Sequence, residues 1–347
     1  MKVALVHDDV GSGASADDRD VIAQMEAVET ALAELGHEFR RVPVTLDLAR
    51  VAGGLRAAGP DLVFNLAESI AGHGRLIHLT PGLLDALGVP FTGCPTDAVY
   101  ATSNKLVAKA LLRGADVPTP VWLTRAELAR DAPIDSGRFI VKSVWEHASR
   151  GLDEGSVIDA SEPGTLLAAL DARAPSLGGE AFAERFVDGR EFNVSILAGA
   201  VLPCAEITFE GFPAASPRIV GYRAKWDESS HEALGTPRRF DFPEADRALL
   251  ATLTGLARQC WSLFGCRGYA RVDFRVDEQG RPWVLELNTN PCLSPDAGFA
   301  AAVARAGLTF TDAVAQIIAA TPTGRTSEAP VVTTRASPAA RAGARSP

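Results

Sequence analysis

The chain has 347 residues and is 47% hydrophobic, enough for two or three compact units with buried cores. Its formal net charge of -9 argues against general nucleic-acid binding, which needs a basic surface, though clustered cations can still hold an anionic ligand. No apolar run is long enough to span a bilayer and no signal-peptide pattern opens the chain. The five cysteines lack C-x-x-C spacing, so neither a disulfide framework nor structural zinc is expected, and the cytoplasm is the expected location.

Val3 to His7 reads as a buried strand. A helix follows Asp18, with Val21, Ile22, Met25, Val28, Leu32 and Leu35 on one face and Gly36 as its stop. Phe39 to Val44 and Leu62 to Leu66 are further strands, and Leu83 to Leu87 is helical. Such alternation predicts an open α/β domain over residues 1–100. A helix is expected from Ser103 to Gly114. Short strands at Phe139 to Lys142, Ser156 to Ile158 and Ala181 to Val187, around a helix at Thr165 to Ala172, predict a small α+β domain over 101–187. A strand pair, Glu191 to Leu197 and Val201 to Cys204, opens a third unit over 188–320. Residues 321–347, rich in Thr, Ser, Pro, Ala and Arg, are expected to be a disordered tail.

Lysine usage stands out, since only five of the 34 basic residues are Lys. Lys is a compact point charge where Arg is a fork, so these positions are either chemical choices or compositional drift.

The sharpest constellation is a hairpin, Gly268 to Val276 and Arg281 to Asn290, around turn residues Asp277-Glu278-Gln279-Gly280. A four-residue turn sets Val276 opposite Arg281, Phe274 opposite Trp283, Val272 opposite Leu285 and Arg271 opposite Glu286. The polar face then collects Arg271, Asp273, Glu286, Asn288 and Asn290. Two carboxylates and an amide oxygen, with no His or Cys, suit Mg2+ sharing phosphate oxygens with a substrate. A solvated, salt-bridged sheet face fits the same residues.

Two weaker cues lie upstream. Phe139-Ile140-Val141-Lys142 ends a strand with a cation, and a polar loop through Ser149 and Gly151 can offer N–H donors to phosphates or be a surface hairpin. Glu184 to Glu191 runs from strand to Gly turn to strand, where backbone can read an adenine edge and a carboxylate can take ribose hydroxyls. Each Glu also fits an exposed strand position.

Taken together, Phe91-Thr92-Gly93, Asn104-Lys105, Ile140-Val141-Lys142, Glu184 to Val187, Gly189-Arg190-Glu191-Phe192, Ala224-Lys225, Arg271-Val272-Asp273 and Glu286-Leu287-Asn288-Thr289-Asn290-Pro291 resemble, in order, ATP-grasp enzymes of the D-alanine–D-alanine ligase family. The resemblance covers about residues 1–320. It implies an ATP-grasp fold behind an N-terminal open α/β domain, and an ATP-dependent carboxylate–amine ligase working through an acyl phosphate. Lys105, Lys142 and Ser149 would meet ATP phosphates. Glu184 and the backbone of Arg185 and Val187 would hold adenine, and Glu191 ribose. Asp273, Glu286 and Asn288 would ligate two Mg2+, with Mn2+ as a substitute. Lys225 and Arg271 would steady the phosphoryl group and the acyl centre. Val144 to Ser156 would be a lid. Asp20 and Asn290 would face amino-acid or peptide substrates, and a homodimer is the family expectation.

Departures from that pattern leave the substrate open. Ala148-Ser149-Arg150-Gly151 has one serine where the family has two, the first-substrate acid becomes the shorter Asp20, and the serine expected at the second substrate's carboxylate falls near Ala297. Another amino acid or a peptide can be the acceptor, and a non-catalytic ATP-binding protein is a further alternative, against which Lys225 and Arg271 argue. A Rossmann dehydrogenase is the remote alternative: Gly11-Ser12-Gly13-Ala14-Ser15-Ala16 fits a dinucleotide loop, but the four surrounding aspartates oppose a pyrophosphate. Cys292 is a candidate nucleophile without a neighbouring base, or a plain loop thiol.

Overall fold

A computed structural model describes residues 1–10, 16–146, 149–213, 216–227 and 229–322. The glycine motif from Gly11 to Ser15, Ala148 of the phosphate loop and the tail beyond 322 lie outside the described residues.

The N-terminal unit comprises β1 (Lys2–Asp8), α1 (Ala16–Glu34), β2 (Glu38–Val44), α2 (Leu48–Ala58), β3 (Leu62–Asn65) and α3 (Leu79–Leu87). Its strands form a parallel sheet in the order β2-β1-β3. The central β1 and the edge strand β3 are buried, which is why both are nearly continuous apolar runs. Helix α2 has no counterpart in the sequence reading. Gly53 and Gly54 dilute its signal, but Asp47 caps the Arg50 N–H and Gly59 closes it in the left-handed conformation.

The helix expected from Ser103 to Gly114 is α5 (Lys105–Gly114), and α4 (Thr96–Ser103), with no counterpart in the sequence reading, leads directly into it. Asn104 ends α4 and caps α5 by accepting from Leu106 and Val107 N–H. The junction fixes Lys105 at the first position of α5.

Next come β4 (Trp122–Thr124), α6 (Arg125–Leu128), β5 (Gly137–Ser143), β6 (Val157–Ala160), α7 (Pro163–Arg173) and β7 (Ala181–Arg185). The strands make an antiparallel sheet in the order β4-β7-β5-β6, packed on α7 through Phe139, Val141, Leu166, Leu170 and Ala183.

The third sheet contains β8 (Arg190–Leu197), β9 (Ala200–Val201), β10 (Ala205–Ile207), β11 (Arg238–Arg239), β12 (Tyr269–Val276) and β13 (Pro282–Asn288). The order is β11-β10-β8-β12-β13, with β9 on β8. The strand expected over Val201 to Cys204 is split in two, because Pro203 has no N–H for a ladder. Between and after these strands lie α8 (Tyr222–Trp226), α9 (His231–Leu234), α10 (Arg247–Leu263), α11 (Gly298–Arg305) and α12 (Phe310–Ala319).

Pleating divides this sheet cleanly. Phe192, Val194, Val272, Phe274, Val284 and Leu287 are buried with Ala108 and Leu112 of α5 and Leu253 and Ala257 of α10. The opposite face carries Glu191, Asn193, Arg271, Asp273, Glu286 and Asn288 toward the second sheet. At the other end Tyr269, Leu293, Phe299 and Val314 share a core with Val3, Leu5, Met25 and Phe64, so the N-terminal unit and helices α11 and α12 pack as one body. No described helix is long and apolar enough to cross a membrane.

The hairpin register differs from the expected one. Val276 pairs with Pro282, Arg275 with Trp283 and Phe274 with Val284; after a bulge at Leu285, Asp273 pairs with Glu286, Val272 with Leu287 and Arg271 with Asn288. The surplus residue turns Leu285 to the cleft instead of the core. Arg271 is therefore opposite Asn288, not Glu286, and the two carboxylates face each other directly.

Candidate active site

A cleft of about 1420 Å³ separates the four-stranded sheet from the polar face of the larger one. It gathers Lys105, Lys142, Ser149, Glu184, Arg185, Val187, Glu191, Lys225, Arg271, Asp273, Glu286, Asn288 and Asp20. These come from two sheets, from the helices α1, α5 and α8 and from the loops between, far apart in the chain.

At the floor, Arg271 binds Asp273 with both prongs, Nε to Oδ1 at 2.7 Å and Nη2 to Oδ2 at 2.8 Å. Asn193 adds a bond to Oδ1 at 2.8 Å. Burial works against the Arg271 charge, but Asp273 and then Glu286 outweigh it and raise its hold on its proton. Lys225 reaches the cleft from α8, accessible at its mouth yet enclosed by protein. Desolvation first, and the Arg271 charge second, lower its pKa.

Lys105 spans the cleft. Its ammonium donates to Glu146 O at 2.7 Å and lies 3.8 Å from Glu286 Oε2. Burial lowers its pKa, and Glu286 opposes the shift. Lys142 Nζ lies 2.5 Å from Glu184 Oε2, while the other carboxylate oxygen is paired with Lys109. Burial pushes Glu184 up, but the two lysines hold it below the usual carboxylate range. The sequence reading missed Lys109, although it follows Lys105 by four residues and so lies on the same helix face. Glu191 is paired with Arg275 at 2.7 Å. The Arg185 guanidinium turns away to Asp135 O and Ser136 O, and its amide donates to Val121 O.

Loop contacts close the cleft on one side. Ser149, with φ at +58°, donates its hydroxyl to Val220 O at 2.8 Å. Arg150 Nη1 donates to Gly72 O at 2.9 Å, and the Arg75 guanidinium lies over the Trp145 ring.

On the N-terminal side, Asp20 accepts from the Cys292 thiol at 3.0 Å and from the Ser294 hydroxyl. Burial, with Glu68 and Asp20 beside it, pushes the Cys292 thiol well above its ordinary pKa, which removes the nucleophile reading. Glu68 also lines the cleft and accepts from Gln24 Nε2 at 3.0 Å. Burial, and then the Asp8 charge, push its pKa up to about 8. Nothing in the sequence signals this, because the shift arises from packing. Asn290 is the one expected site residue off the cleft wall. Its Oδ1 accepts from Tyr269 OH at 2.6 Å and its Nδ2 donates to Ala67 O at 2.9 Å, so it braces the sheet against the N-terminal unit.

The oxygen donors fit a hard divalent cation. Asp273 and Glu286 are directly paired across the ladder, and Asn288 lies two residues on, pointing to the same face.

Residues 139–319 match the protein family described as D-ala D-ala ligase C-terminus. A D-alanine–D-alanine ligase of Synechococcus sp. (strain JA-3-3Ab) is 30% identical over 89% of this chain and 91% of its own length. The chain belongs to the D-alanine–D-alanine ligase family. The D-alanine–D-alanine ligase of Moorella thermoacetica is 31% identical over 92% of this chain and 98% of its own. A crystal structure of the D-alanine–D-alanine ligase from Bacillus anthracis superposes with a TM-score of 0.69 at 21% identity, covering 92% of this chain and 97% of that one. The fold is accordingly ATP-grasp, and the chain is an ATP-dependent ligase that forms a carbon–nitrogen bond between a carboxylate and an amine. ATP and a divalent metal are the general requirements of this ATP-dependent family. The dehydrogenase and the non-catalytic readings fall with this assignment.

Proposed function

We propose that the chain joins two amino acids, with D-alanine the first candidate for both, through an acyl phosphate. The observation that carries this reading is the direct pairing of Asp273 with Glu286, on the face where Arg271 lies and toward which Lys105 reaches. ATP would lie between the two antiparallel sheets, its phosphates met by Lys105, Lys142 and Ser149. Glu184 lies beside the adenine edge and braces Lys142; the Arg185 amide is already used, so the edge falls to its carbonyl and to the Val187 backbone. Glu191 would take the ribose hydroxyls. Asp273, Glu286 and Asn288 would hold two Mg2+, or Mn2+ in their place. The bound ions would spread phosphate charge and favour in-line attack.

Arg271 and Lys225 act on the reacting centre. They orient the donor carboxylate, neutralise the transferring phosphoryl group and then hold the oxyanion as the amine adds. Asp20 would face the donor's ammonium. The acyl phosphate is labile in water, so the segment Val144 to Ser156, with its contacts to Gly72 and Val220, serves as the lid. We keep the three-unit division at 100 and 187, the cytoplasm as the location and a homodimer as the assembly.

The test is phosphate release from Mg-ATP with each L- and D-amino acid, alone and in pairs. The expected result is release with at least one amino acid, and a dipeptide found by mass spectrometry. No release above background with any of them would overturn the proposal.

A further inference from the structure

The cations lining the cleft divide by partner. Lys105, Lys142, Arg150, Arg271 and Arg275 each face a carboxylate, Glu286, Glu184, Glu146, Asp273 and Glu191 in turn. Arg185 is turned to carbonyls. Lys225 and Arg238 form no ion pair among the described residues. Lys225 belongs to the phosphoryl centre in the reading above, which leaves Arg238 unassigned.

Arg238 is placed with some care. It lies on the edge strand β11 opposite Ile207, which in turn faces Glu191, so pleating puts its side chain on the cleft face. Its neighbour Arg239 takes the other face and pairs with Glu206. The Arg238 Nη1 donates to Asp296 O at 2.9 Å. Its Nε lies 3.3 Å from where a Cβ on Gly298 would be, so the guanidinium rests on a residue with no side chain. Among the described residues this one bond to a carbonyl leaves most of the five donors of the fork free. Arg238 faces the same cleft as Arg271, from the edge of the sheet order β11-β10-β8-β12.

The chemistry narrows what anion it meets. The lysines and the metal answer the phosphates. The donor's carboxylate is consumed, becoming an acyl phosphate and then an amide. When the amine is an amino acid, its own carboxylate stays ionised throughout and needs a lasting counter-charge. A guanidinium fork matches that group bidentately. We propose that Arg238 holds the carboxylate of the amine substrate and so selects amino acids over simple amines at that position. This rests on the ligase reading given above.

The test uses the full chain with Mg-ATP and equal D-alanine and D-alaninamide as competing amines; if the pool assay selects another amino acid, that one and its amide are used. Mass spectrometry gives the ratio of dipeptide to dipeptide amide, which does not depend on the fraction of enzyme folded. Arg238→Gln is expected to lower that ratio at least about tenfold, the scale of one charge-assisted bond, with KM for ATP unchanged. Arg238→Lys should restore part of it. An unmoved ratio in Arg238→Gln, with wild type active, sinks this inference alone. No product from wild type with any amino acid overturns the ligase reading and the inference with it.

Discussion

Arg271 and Asp273, two residues apart on β12, close a two-pronged ion pair on the cleft face of the large sheet. The pair occupies both oxygens of the carboxylate proposed to hold metal. The pair neutralises both charges at the floor of the cleft. Removing Arg271 has two opposed effects. Asp273 is freed, so metal affinity should not fall. On the proposed mechanism the reacting centre loses its oxyanion donor. Arg271→Met is expected to lower kcat by at least about a hundredfold while the Kd for Mg-ATP changes by less than about threefold. Calorimetry beside steady-state phosphate release checks it. Weakened nucleotide binding with kcat intact would make Arg271 a binding residue.

The two carboxylates should respond differently. Asp273→Asn removes a proposed metal ligand and also takes from Arg271 the carboxylate that holds both its prongs. Glu286→Gln removes a ligand beside a lysine 3.8 Å away, a looser pairing. Both variants should lose Mg-dependent turnover, and Asp273→Asn alone should also lose stability, by about 2–4 kcal/mol, because a buried charge is left uncompensated. Urea denaturation separates the two. Equal stability in both would contradict the tight Arg271–Asp273 pair.

Glu184 lies between Lys109 and Lys142, a buried triad at the four-stranded sheet's side of the cleft. Lys109 is 1% exposed, and its ammonium also donates to Thr119 Oγ1. Glu184→Gln leaves two lysines facing one another in a desolvated site. The expected cost is about 3–5 kcal/mol, read as a lower denaturation midpoint. Since the Glu184 pKa is depressed in the folded chain, its contribution is present above the ordinary carboxylate range and lost as pH falls through the lower folded value. The wild type should lose this stability in acid, and the variant should not. A variant as stable as wild type at pH 7 would refute the triad.

Glu68 gives the opposite sign. Its folded pKa of about 8 lies above the ordinary 4.5, so the folded chain binds the extra proton between those values. Stability must then fall as pH rises from about 5 to about 8. Glu68→Gln keeps a bond to Gln24 and has no proton to lose. It should flatten that slope and be the more stable protein at pH 8. Parallel pH–stability curves for the two proteins would show that Glu68 ionises normally.

Much of this was readable beforehand because it depends on period and order. Strands β1 and β3, the lysine ending β5 and the polar face of β12–β13 follow from alternation, which survives small errors of register. The register itself did not. A turn of four residues is a sound count, but the pairing starts at Pro282 and a surplus Leu285 enters, and neither has a local signature. Lys109 was passed over because its burial depends on Glu184, 75 positions away in the sequence. Arg238 and Glu68 were invisible for the same reason: the partners they have, or lack, belong to other elements. Asn290 is the reverse case, a motif residue whose side chain turns to the Tyr269 hydroxyl and the Ala67 carbonyl.

The bulge at Leu285 is a spare residue in the hairpin's reading frame. Val284 turns to the core and Glu286 to the cleft, as neighbours in an unbulged strand would, so losing Leu285 alone would leave Phe274 opposite Val284, Asp273 opposite Glu286 and Val272 opposite Leu287. Strand β12 has no such spare: losing Val272 would turn Arg271 from the cleft into the core. The same rule tells an engineer where a tag or a loop can be spliced: into the turn at Glu278 or Gln279, on the far side of the ladder from the carboxylates, where the frame of the site is already set by β8.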